Sequence, residues 1–139
     1  MGVLTEIIIA DHFESEQLAD AINPTETWEG IDAKGIDPVK LGKLYAILSG
    51  CEFEATIPIF DQLAGGDEGP WVLKTPPDRP DLLTAMTDPD PVAQQWAATE
   101  EFQLDGWPLD AVKETLSKLT RLAARSKELG KPLIMWMSL

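Results

Sequence analysis

Apolar positions along the 139-residue chain change their spacing several times, and each change predicts an element. Val3–Ala10 holds Ile7, Ile8 and Ile9 in succession, a β-branched run expected of a buried strand. Over Glu14–Ile22 the apolar residues Leu18, Ala19, Ala21 and Ile22 predict a short helix, stopped by Asn23-Pro24. Thr25–Gly35 then reads as a loop with Gly30 and Gly35 as its turn residues. Asp37-Pro38 opens a second helix, with Asp as N-cap and Pro at the first helical position. Leu41, Leu44, Tyr45 and Leu48 give it one apolar face, and Gly50 ends it.

The middle of the chain is harder to read. Pro58 argues against both a central strand and a long helix over Phe53–Leu63. Gly65–Gly69 is a turn, Trp71–Thr75 a strand closed by Pro76-Pro77, and Asp81–Met86 a short helix. The run Asp88-Pro-Asp-Pro91 breaks the chain before a helix over Val92–Phe102 with Trp96 facing in. After the Asp105-Gly106 turn comes a long amphipathic helix. Its residues Val112, Leu116, Leu119 and Ala123 fall within about 60° of one another at about 100° per residue. Gly130 stops it, and the apolar segment Leu133–Leu139 predicts a strand held inside a sheet, because a loose end would fray.

The order β-α-α-β-α-α-β leads to one α+β domain spanning 1–139, with a small sheet of three or four strands covered mainly by amphipathic helices. The pairing of the strands stays open at this level. A hydrophobic content of 44% and five Trp supply area for a single core.

Charge narrows the functions. With 24 acids against 11 bases the net charge is −13, a field that opposes nucleic acids and anionic membranes and suits a basic protein partner. Cys51 is alone, so no internal disulfide forms, and a reducing, cytoplasmic setting is expected. The first residues lack a signal-peptide pattern, and no stretch approaches a membrane span.

Reactive chemistry is sparse. His12 is the one histidine, placed after a strand beside Asp11, which makes the pair the candidate for acid–base work or an ordinary loop contact. Cys51 follows a helix C-terminus and precedes Glu52, both of which raise a thiol pKa, so it reads as inert. Glu14 with Glu16, Asp32 with Asp37, and Glu100-Glu101 with Asp105 are carboxylate groupings that read as exposed charge rather than ready metal sites. No phosphate-binding, dinucleotide or nucleophile-elbow motif occurs, so no cofactor is expected.

Two loops are more suggestive. Trp28-Glu29-Gly30 and Asp105-Gly106-Trp107 set indoles beside acids and glycines, as binding anchors or as caps on the core. Trp28, Glu29, Asp32, Asp105 and Trp107 are therefore the candidate binding residues. Residues 1–33 carry eight acids and no Lys or Arg, whereas 113–131 carry six bases and two acids. Lys118, Arg121 and Arg125 cluster opposite the apolar face of the long helix, as a solvated back or as an anion or partner contact. Such poles favour a monomer or a weak homodimer, since exposed pairs hold little.

The segment Ile36-Asp37-Pro38 through Leu48-Ser49-Gly50, with a Leu- and base-rich helix before a last apolar strand, resembles the YfbM-like bacterial proteins. The resemblance implies an α+β fold and a bacterial cytosolic setting, and carries over no catalytic residue. The expected function is a non-enzymatic binding module for a basic protein or a small ligand, immunity- or inhibitor-like in one version. The alternative is a small hydrolase or transferase using His12 and carboxylates, with Mg²⁺ as an option.

Overall fold

The computed structural model describes residues 4–11, 14–50, 62–64, 70–75 and 79–138, with residues 15, 62–64, 79 and 80 described by their backbone alone. Five strands, β1 (Leu4–Ile9), β2 (Gly30–Asp32), β3 (Gln62–Ala64), β4 (Trp71–Lys74) and β5 (Leu133–Ser138), form one sheet in the order β2-β1-β5-β4-β3. Every neighbouring pair is antiparallel. The helices are α1 (Ser15–Ala19), α2 (Pro38–Ser49), α3 (Arg79–Thr84), α4 (Pro89–Ala97), α5 (Glu100–Asp105) and α6 (Leu109–Leu129). This is the expected α+β architecture.

β5 is the middle strand, running against β1 from Leu4↔Ser138 to Ile9↔Leu133 and against β4 from Trp71↔Met137 to Lys74↔Ile134. Side chains alternate across a strand, so this register sorts the core into two layers. Ile7, Ile9, Leu133 and Met135 lie on one face with the buried residues of α2, α4 and α6, including Leu41, Trp96 and Leu119. Ile8, Ala10, Val72, Ile134 and Trp136 lie on the other, with Leu18 of α1 and half-buried Trp28. A strand buried on both faces has no polar positions to alternate with, and that is why Ile7–Ile9 reads as an unbroken apolar run.

α2 forms as its caps dictate. Asp37 Oδ1 accepts a hydrogen bond from Lys40 N at 2.8 Å, and Gly50 closes the helix with φ 72°. α6 buries Val112, Leu116, Leu119, Leu122 and Ala123 and ends at Gly130, φ 65°.

Several boundaries differ from the sequence reading. The Thr25–Gly35 loop contains a 3-10 turn at Pro24–Glu26 and the edge strand β2, too short to show a hydrophobic period. α1 stops at Ala19, and Ile22 is 82% exposed rather than part of an apolar face. Asp88-Pro89-Asp90-Pro91 starts α4 instead of breaking the chain. Asp88 accepts from Asp90 N at 3.2 Å, and the prolines fall in the first turn, where a missing N–H costs nothing. The expected helix Val92–Phe102 is two helices, because Thr99 turns extended (ψ 152°) while its hydroxyl donates to Trp96 O at 2.6 Å. Trp71 is half-buried. Phe53–Asp61, Gly65–Gly69, His12 and Cys51 lie outside the described residues.

Candidate functional site

The N-terminus of α2 and the C-terminus of α5 meet over a lysine. Lys40 lies in the capped first turn of α2, and its side chain runs back along the helix, 1% exposed. Its ammonium donates to Gly35 O at 2.5 Å and to the Asp105 carboxylate, which is 54% exposed. The ammonium also lies 5.1 Å from the Phe102 ring centre and 5.3 Å from that of Trp107. Gly106 (φ 68°) ends α5 and turns Trp107 back onto Phe102, ring centres 5.0 Å apart. Phe102 meets Trp96 edge-on at 4.9 Å, and Trp96 Nε1 donates to Lys40 O at 2.8 Å. A cleft of about 280 Å³ opens beside this cluster, bounded by Thr5, Lys34, Asp37, Asp105 and Met137.

Gly35 fits this corner because it has no side chain. Its φ is +90°, and a Cβ there would lie 2.7 Å from Trp107 Cζ2. Gly35→Ala is therefore expected to cost roughly 1–3 kcal/mol in urea unfolding and to change the Trp107 fluorescence. An alanine variant with wild-type stability and emission would contradict the close fit.

The other tryptophan loop sits across the sheet. Trp28 Nε1 donates to Glu14 Oε2 at 2.8 Å, and Glu14 Oε1 accepts from Asp11 N at 3.0 Å. The Trp28 N–H first, then the Asp11 N–H and the Lys131 charge, hold the Glu14 carboxyl below its ordinary value. A depressed carboxylate stabilises the fold above its unfolded pKa, and that contribution is lost as pH falls through the folded one. Asp11 faces Lys131 at 3.5 Å.

Glu29 receives Arg125 Nε on both oxygens, at 3.0 and 3.1 Å, and the pair holds the guanidinium's pKa above its usual value. Asp32 is exposed, and its Oδ1 accepts from Lys34 N at 3.0 Å. Glu101 pairs with Lys43.

The candidate residues thus fall into two places. Asp105 and Trp107 converge with Gly35 and Asp37 on the Lys40 cleft. Trp28 packs on the opposite face of the sheet, so the two indoles share no surface. Both rings are half-buried against the core. His12 lies outside the described residues, and Asp11 is engaged by Lys131 and by Glu14. Sequence reasoning missed Lys40; its signal is its place four residues before Leu44, at the flank of the apolar stripe of α2.

One group of carboxylates lies on the α1 side of the sheet. Glu6 and Asp32 are register partners and so share a face of the sheet with the Trp28 cluster. Glu16 and Asp20 of the α1 segment, Glu26 of the 3-10 turn and Asp32 are exposed, with no ion pair to a described residue. Lys74 of β4 is a described base on that face. Lys113, Lys118, Arg121, Arg125 and Lys127 lie on α6, beyond the other face.

No described helix is long and apolar enough to cross a membrane. No family model matches the chain, and no curated protein or solved structure matches it, so a relationship to the YfbM-like proteins is neither supported nor contradicted.

Proposed function

We propose that the protein is a non-enzymatic binding module, inhibitor-like in character, that takes a basic protein surface on the α1 side of its sheet. One observation carries this reading: Glu16, Asp20, Glu26 and Asp32 are exposed on the α1 side of the sheet without ion pairs to described residues. Unpaired carboxylates repel one another and destabilise a fold slightly, and an incoming cluster of Lys and Arg relieves that repulsion. The bases of α6 lie across the sheet, so among the described bases Lys74 and Lys131 are the ones that offset the field on this side. Such a field raises the association rate and orients the encounter more than it tightens the final complex.

The reading is tested by co-purification from the native host, followed by measurement of the isolated pair. Affinity is expected to fall steeply between about 0.1 M and 1 M salt, where the screening length shrinks from roughly 10 to 3 Å. The combined variant Glu16→Gln, Asp20→Asn, Glu26→Gln, Asp32→Asn should slow association at low salt at least about tenfold. Salt-independent binding, or an acidic partner, would sink the proposal.

A further inference from the structure

α6 carries a cleft that the acidic side does not use. It lies where the connection between α3 and α4 meets α6 and has a volume of about 310 Å³. Its floor is Ala93 and Leu116, both fully buried, with half-buried Met86 as a wall. Lys113, Ser117 and Arg121 follow one another at successive turns of α6 along its rim. Lys113 stands 3.7 Å from Asp90 on the opposite lip. Arg121 is exposed and makes no hydrogen bond or ion pair with a described residue, although the chain has 24 acids and 11 bases. One turn on, the Nε–H of Arg125 is shared between both oxygens of Glu29, so an arginine of this helix already holds a carboxylate.

We propose that this cleft binds a small organic monocarboxylate, its carboxylate held by Arg121 and its apolar body laid over Ala93, Leu116 and Met86. Each part of the site selects for that chemistry. The floor offers no hydrogen-bonding side chain, so the body of the ligand must be apolar. The α6 wall offers two cations and the hydroxyls of Ser117 and Thr120, the latter donating to Leu116 O, and the planar fork of arginine matches a carboxylate in a way that an ammonium does not. Asp90 beside Lys113 penalises a second negative charge, which disfavours phosphate dianions. The net charge of −13 opposes polyanions. The volume lies at the lower end of the roughly 300–1,000 Å³ typical of ligand sites, so the ligand is small.

Octanoate is the probe, titrated into the full chain by calorimetry and by amide NMR. Saturable binding below its micelle range is expected, with shifts centred on Ala93, Leu116 and Ser117. Arg121→Gln should weaken it about tenfold or more, the effect of losing a charge-assisted hydrogen bond. Butanoate, four methylenes shorter, should bind at least about tenfold more weakly. Ser117→Trp, a change at an exposed rim position, should fill the cleft and abolish binding while leaving the unfolding curve in place. The proposal is overturned by an absence of saturable binding, by shifts elsewhere, or by unchanged affinity in Arg121→Gln. Equal binding of octylammonium, or displacement of octanoate by equimolar inorganic phosphate, would overturn it too. None of these outcomes bears on the salt-dependent capture of a basic partner on the other side of the sheet.

Discussion

Asp105→Ala is expected to destabilise the protein by about 2–3 kcal/mol, more than removing the charge it faces. The asymmetry follows from solvation. Lys40 is 1% exposed and Asp105 54%, so the carboxylate is solvated with or without its partner. Without Asp105 the ammonium is buried against one carbonyl and two aromatic rings. Breaking a fully buried pair costs roughly 3–5 kcal/mol, and the openness of Asp105 reduces that figure. Lys40→Met leaves an aliphatic chain of similar length in the same channel and should cost less than about 1.5 kcal/mol. With the ammonium gone, Asp105→Ala added to Lys40→Met should change stability by no more than about 0.5 kcal/mol. Urea unfolding of the two single variants and the double variant measures all three quantities. A silent Asp105→Ala beside an unfolded Lys40→Met would mean that the carbonyl and the rings, not the carboxylate, hold the lysine.

Trp136→Ala should have the largest effect of any single change on the α1 side, about 3–5 kcal/mol. The indole is fully buried on the central strand, in register with Val72 of β4 and Glu6 of β1. Its Nε1 donates to Leu18 O at 3.0 Å, which pins α1 to the sheet. Trp136→Phe keeps most of the apolar area but deletes the donor and leaves a small void, so it should cost about 1–3 kcal/mol. The two values separate packing from docking of α1. Since a domain of this kind is stable by about 5–15 kcal/mol, the alanine variant should approach unfolding at room temperature. Equal costs for Trp136→Phe and Trp136→Ala would show that the hydrogen bond, rather than the ring, carries the stabilisation.

The parts of the fold that could be read from the chain are those set by local periodicity and caps. α2 and α6 follow from their stripes and glycine stops, and β1 and β5 from short apolar runs. Segments whose form depends on distant partners were not legible. β2 is a strand only because β1 offers its edge, and its three residues show no period of their own. Thr99 breaks a helix through a single hydroxyl that turns back to Trp96, a choice that composition does not reveal. The candidate site was legible in its residue types and not in its layout. Asp105 and Trp107 do meet the Gly35–Asp37 turn, whereas Trp28 follows the even-numbered side of β1 to the other layer. Strand parity decides that separation, and it needs the register, which the sequence left open.

The pairing of β1 with β5 has a consequence for how the chain is made. Ile7, Ile8 and Ile9 find their central hydrogen-bonding neighbours only at residues 133–135. At about 5–20 residues per second, the ribosome takes roughly 6–25 s to deliver the intervening stretch. Throughout that interval the greasiest segment of the nascent polypeptide waits with no mate on that side. The helical half can coil early, but the sheet closes last, and that delay is the period in which a chaperone has most to do.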